Sequence, residues 1–162
     1  EQRVAELGRE NQRIFDELLA EGAPPVPGAL ALVDAARAAM PVAIASGATA
    51  GDIAQMLASL GRSAAFPVIV SADDVARSKP DPQSYALAVE RLARETATDG
   101  LSPAECLAIE DTPTGIQSAK DAGLMTLAVT TTHPAADLQL ADHVVEGLEG
   151  LSVGQLRAWF GG

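Results

Sequence analysis

CLAIEDTPTGIQSAKDAG, residues 106–123, changes its period halfway along, and that change decides the fold. Cys106–Ile109 is a short apolar run of buried-strand length. Glu110 and Asp111 end it. Thr112 suits a helix N-cap, Pro113 the first helical position, and Ile116, Ala119 and Ala122 recur at helical spacing. Gly123 suits the C-terminal cap, and the apolar run MTLAV (125–129) follows at once.

The same alternation extends outward. PVAIA (41–45), PVIV (67–70) and HVVE (143–146) have the length and β-branched content of buried strands. Between them lie helical patterns: Ile53, Met56, Leu57 and Leu60 before Gly61, then Tyr85, Ala88, Val89 and Leu92. Leu30, Val33 and Ala36 mark an earlier helix. The last helix opens on a capping box, Ser152 with Gln155, and ends near Trp159. Strand–helix alternation of this kind predicts an α/β fold, doubly wound, with a parallel sheet and helices on both faces. At the start, residues 2–21 read as one helix, with Val4, Leu7, Ile14, Phe15, Leu18 and Leu19 along one side. GAPPVPG (22–28) then breaks it as a linker. No internal repeat or low-complexity segment is present.

Composition narrows the partners. The 162 residues suit one domain with a real core, and a 48% hydrophobic content argues against disorder. A net charge of −11 disfavours nucleic acid and anionic membrane surfaces, yet leaves room for a small anionic substrate in a locally positive pocket. No apolar run approaches the roughly 20 residues of a membrane span. Cys106, the single cysteine, reads as a buried structural thiol and fits a reducing, cytoplasmic setting.

In a parallel sheet, ligands collect at the carboxyl ends of the strands, so the residues just after each apolar run carry the information. Glu110 and Asp111 are adjacent carboxylates at a strand tip. They suit a hard divalent cation such as magnesium, or they are solvated acids favoured by the helix N-terminus that follows. Ser46 and Gly47 lead from PVAIA into a helix, where a hydroxyl and a backbone amide can hold an anion. Equally, Thr49 with Asp52 caps that helix and Ser46 is a turn residue. Lys79 lies in S-K-P-D-P, whose prolines restrict the backbone around a cation that could neutralise phosphate oxygens. Asp73 and Asp74 read as turn or helix-cap residues.

Taken together, these stretches closely resemble the haloacid dehalogenase superfamily, in the capped phosphatase and β-phosphoglucomutase-like branch (subfamily IA). The resemblance is carried by PVPGALALVDAARAAMPVAIASGA, VIVSADDVARSKPDP and CLAIEDTPTGIQSAKDAG. It implies a Rossmann-like core and phosphoryl transfer from a small phosphorylated metabolite, with Mg2+ as cofactor. Ser46, with the amide of Gly47, would bind the phosphoryl group and Lys79 would balance its charge. Ser46 and Lys79 are thus the candidate catalytic residues, with Asp111 expected to ligate magnesium and Glu110 to support it. No nucleic-acid or membrane partner is implied, and a monomer is expected.

The family's first motif, D-x-D-x-T/V, supplies an attacking Asp and an acid–base Asp, and it occurs nowhere in these 162 residues. The resemblance therefore implies that the nucleophile strand and most of a helical cap lie upstream of Glu1. On that reading residues 1–22 are the last cap helix, 23–28 the linker, and 29–162 an incomplete core, unstable and inactive alone. The Glu110–Asp111 pair favours phosphoryl transfer over dehalogenation. The loop Gly47-Ala48-Thr49-Ala50 lacks the hydroxyl, Lys and Asn often seen in mutases and tilts the reading to a phosphatase. The order Ser, Lys, acidic pair disfavours a signalling receiver domain. A non-catalytic protein of the same fold is the remaining alternative.

Overall fold

The apolar runs become strands because their β-branched residues pack between helices on both sides. The computed structural model describes residues 24–98 and 100–160. Helix α1 (Ala29–Ala39) leads to β1 (Ala43–Ala45), α2 (Ala50–Ser59) and β2 (Val68–Val70). Then come α3 (Gln83–Glu95), β3 (Leu107–Glu110), α4 (Pro113–Asp121), β4 (Met125–Val129), β5 (His143–Val145) and α5 (Val153–Trp159). The expected helix over 2–21 lies outside the described residues.

All described strand pairs are parallel. β1 pairs with β2, placing Ala45 opposite Val70. β3 pairs with β4, placing Glu110 opposite Ala128, and β4 pairs with β5, placing Val129 opposite Val145. The two groups are not hydrogen-bonded to each other, so the described sheet is in two parts, β1–β2 and β3–β4–β5.

Alternation along β4 sorts the core. Leu127 and Val129 pack with Leu32 of α1 and with Leu148 and Leu156 on one face. On the other, Ala128 packs with Ile116 of α4 and Leu138. Ala108 of β3 joins Tyr85 and Val89 of α3 and Ala119 of α4. Helices therefore cover both faces, as the alternation predicts.

Local signals act as read. Thr112 Oγ1 accepts the amide of Gly115, with Pro113 in the first turn of α4. Gly123 takes φ +86°, the left-handed conformation that costs glycine least. Thr49 with Asp52, and Ser152 with Gln155, form reciprocal capping boxes. Asp73 and Asp74 also serve as caps: Asp73 accepts the amide of Ala50 at the start of α2, and Asp74 accepts the amide of Ser71.

Candidate active site

The site starts where β1 stops. The Ser46 amide donates to Val70 O at 2.9 Å, extending the β1–β2 ladder by one bond. Ser46 Oγ accepts the Ala48 amide at 3.1 Å, which turns the chain towards α2. Gly47 is exposed, and a Cβ there would meet nothing within 4 Å. The hydroxyl and the amide therefore border open space at the carboxyl end of the strand.

Lys79 reaches this end from the loop before α3. Asp81 fixes that loop: its carboxylate accepts the Gln83 amide and pairs with Arg77, and its carbonyl accepts Ser118 Oγ at 2.7 Å. The side chain of Lys79 is only 17% exposed. Its Nζ donates to Ala45 O at 3.0 Å and to Glu110 Oε1 at 2.5 Å, and lies near Tyr85 Oη at 3.3 Å. One ammonium thus joins the last carbonyl of β1 to the last side chain of β3, across the break in the sheet. Ser46 and Gly47 enter the group through Ala45. No direct hydrogen bond links them to Lys79, Glu110 or Asp111 among the described residues.

Glu110 is held from every side. Tyr85 Oη donates to the same Oε1 at 2.6 Å, while Oε2 lies 3.3 Å from both the Asp111 amide and Thr112 Oγ1. The α4 backbone closes the remaining side at Gly115, where a Cβ would land on the Glu110 carboxylate. Burial, reinforced by the Glu110 charge, pushes the Tyr85 phenol far above its ordinary value, so Tyr85 stays a proton donor. Lys79 and Tyr85 thus share Oε1, while Oε2 takes the two longer contacts.

Asp111 differs. Its Oδ2 meets Thr132 Oγ1 at 3.0 Å and Thr131 Oγ1 at 3.4 Å, both uncharged hydroxyls. No hydrogen bond to Oδ1 and no salt bridge to Asp111 occurs among the described residues. The Asp111 carbonyl lies 2.8 Å from Thr132 Oγ1 and 3.1 Å from His133 Nδ1. Thr131, Thr132 and His133, with Thr130, Pro134, Ala135 and Glu146, line an open cleft of about 570 Å³.

This donor set fits a hard cation. One carboxylate is balanced by Lys79, and the other has an oxygen with no hydrogen bond and no paired cation among the described residues. Among the described residues no three carboxylate, His or Cys side chains gather into a metal cluster, so magnesium here would draw on Asp111, Glu110, waters and phosphate oxygens.

Sequence reasoning missed five contributors. Tyr85 was read only as a core position, and it is both core and ligand to Glu110. Thr131 and Thr132 follow a strand, where the carboxyl-end rule pointed, but threonines in a loop carry no signature of their own. Gly115 looked like part of a helix start, whereas its missing side chain makes room for Glu110. His133 has no distinguishing sequence signal, and its ring reaches the Asp111 carbonyl. Cys106, expected to be buried, is half-buried; partial burial and the nearby Glu105 charge push its thiol up, away from thiolate reactivity.

Parallel strands, helices on both faces and polar groups gathered at strand carboxyl ends define a Rossmann-like α/β protein with a strand-tip site. The chain belongs to the haloacid dehalogenase-like hydrolase family, whose model matches residues 1–123. Validoxylamine A 7'-phosphate phosphatase of Streptomyces hygroscopicus subsp. limoneus is 38% identical over 92 residues, 57% of this chain and 40% of that protein. Hexitol phosphatase A of Escherichia coli (strain K12) is 33% identical over 134 residues, 82% of this chain and 59% of that protein. The chain thus spans about half the length of these curated relatives. The crystal structure of β-phosphoglucomutase from Clostridium difficile matches in fold with a TM-score of 0.79 at 21% identity, covering 99% of this chain and 68% of that one.

Proposed function

We propose that this chain forms the phosphoryl-binding and metal-binding part of a magnesium-dependent phosphohydrolase acting on a small phosphorylated metabolite. The observation that carries the reading is the Lys79 ammonium, which joins the end of β1 to Glu110 at the end of β3. Three stretches far apart in sequence meet there with the charges a phosphoryl group needs.

In this reading Ser46 Oγ–H and the Gly47 amide bind phosphoryl oxygens, the role that a preorganised oxyanion site plays. Lys79 stays fixed by Glu110 and Ala45 and offers positive charge to the same group. Asp111 presents its open oxygen to the metal and Glu110 supports it through Oε2. Magnesium, when bound, supplies neutralisation of the charge that develops on the phosphoryl oxygens. The attacking carboxylate, which would form an aspartyl-phosphate, comes from a strand seated between β1 and β3. Two features support that seat: β1 and β3 have no hydrogen-bonded partner on their facing edges among the described strands, and Ile109 of β3 is 40% exposed. The names of the relatives, a validoxylamine A 7'-phosphate phosphatase and a hexitol phosphatase, favour a small phosphate monoester such as a polyol phosphate as substrate.

The test is phosphate release by the full-length protein from a panel of sugar and polyol phosphates. Activity should require magnesium and vanish on chelation. Asp111→Asn should lower turnover by at least about a hundredfold, the scale of losing a group that acts in the transition state. Wild-type turnover by Asp111→Asn at ordinary magnesium would refute the assignment.

A further inference from the structure

The loop after β4, Thr130–His133, has no role in the proposed phosphoryl chemistry above, yet it contacts Asp111 at both its backbone and its side chain. Thr132 Oγ1 lies 2.8 Å from Asp111 O, 3.0 Å from Asp111 Oδ2 and 3.1 Å from His133 Nδ1. His133 Nδ1 is itself 3.1 Å from Asp111 O. These atoms obey a proton count. A hydroxyl carries one proton, so Thr132 cannot donate to the Asp111 carbonyl and carboxylate together. A neutral imidazole carries its proton on one nitrogen only.

If Nδ1 were bare, its lone pair would face the Asp111 carbonyl oxygen, and the Thr132 proton would have competing acceptors on three sides. With the proton on Nδ1, His133 donates to the Asp111 carbonyl and the Thr132 proton is free for Oδ2. Both acceptors of Asp111 are then satisfied. The opposite oxygen, Oδ1, takes no hydrogen bond from any described residue.

We propose that Thr132 and His133 are positioning residues that clamp Asp111 by its carbonyl and its Oδ2, so that Oδ1 is presented to a divalent cation. The inference rests on the reading of Asp111 as a metal ligand. It adds a function for the loop after β4. A hydrogen-bonded partner that fixes a ligating group commonly governs metal affinity by about 10- to 100-fold. Thr131 and Thr132 are exposed and His133 is half-buried, so substitutions there leave the packed core intact.

The experiment titrates the full-length protein with Mn2+, followed by electron paramagnetic resonance of the free ion, with melting temperature as a control for folding. Thr132→Val should weaken Mn2+ binding by about tenfold or more. Thr132→Ser, which keeps the hydroxyl, should bind like wild type. His133→Ala should weaken binding in the same direction and by less. His133→Asn, whose amide can stand in for Nδ1–H, should recover it. Wild-type Mn2+ affinity in both Thr132→Val and His133→Ala, in a protein where Asp111→Asn loses the ion, would overturn the clamp alone. Wild-type affinity in Asp111→Asn would instead overturn the ligand reading, and the clamp with it.

Discussion

At the scale of single residues, Glu110 shows how much a buried carboxylate demands of its neighbours. An ionised group 9% exposed needs charge and hydrogen bonds, and Lys79 and Tyr85 supply both to one oxygen. Gly115 is the tightest constraint, since a methyl group there displaces the carboxylate. Gly115→Ala should therefore destabilise the fold by about 1–3 kcal/mol, the usual cost of overpacking, and should break the Glu110–Lys79 pair. Thermal melts and a crystal structure of the variant check this; a wild-type melt with Glu110 unmoved would contradict it. At this scale the sequence was readable where chemistry is distinctive: Lys79, Glu110 and Asp111 stood out by charge and place. Tyr85 did not, because a tyrosine at helical spacing looks the same whether its hydroxyl is idle or bonded.

Among the elements, the start of β4 depends on a single carboxylate. Thr126 is fully buried, and Asp142 Oδ2 accepts both its amide, at 2.8 Å, and its hydroxyl, at 2.9 Å, while Oδ1 pairs with Lys120. Burial works against the charged form of Asp142, but the hydrogen bonds from Lys120 and Thr126 outweigh it and hold the carboxyl below the ordinary 3.8. Removing the side chain strands two buried donors, so Asp142→Ala should cost about 1–3 kcal/mol at neutral pH. The folded pKa is depressed, so this stabilisation is complete above the unfolded value and is lost as pH falls through the lower, folded one. The difference between wild type and Asp142→Ala, measured by denaturant titration, should shrink as pH drops below about 4. A difference that does not change with pH would contradict the assignment. Strand and helix identities were legible throughout this region from period and caps. The Thr126–Asp142 link was not, because it joins residues 16 apart through a strand pairing that local patterns leave open.

At the largest scale, the described residues form a parallel sheet in two parts. Its alternation of strands and helices was plain in the sequence, because strands buried on both faces are continuously apolar. The strand order was less plain, and the D-x-D-x-T/V pattern, absent from these 162 residues, was the reason to expect a further strand. Among the described strands, β1 and β3 are not hydrogen-bonded to each other, and Lys79 spans the break between them. A purified chain of these 162 residues should accordingly show no phosphate release with magnesium, and should unfold at lower denaturant than the full-length protein. Specific, chelator-sensitive turnover by the short chain would contradict the proposed source of the nucleophile.

The central claim is that the residues around the break form one phosphoryl-transfer site, with Lys79 as the charge that unites them. Turnover of full-length Lys79→Ala, at saturating substrate and magnesium, tests this most directly. The account predicts a fall of about 10²- to 10³-fold, the scale of removing one preorganised charge or donor from a transition state. Turnover within twofold of wild type, in a folded variant, would contradict it.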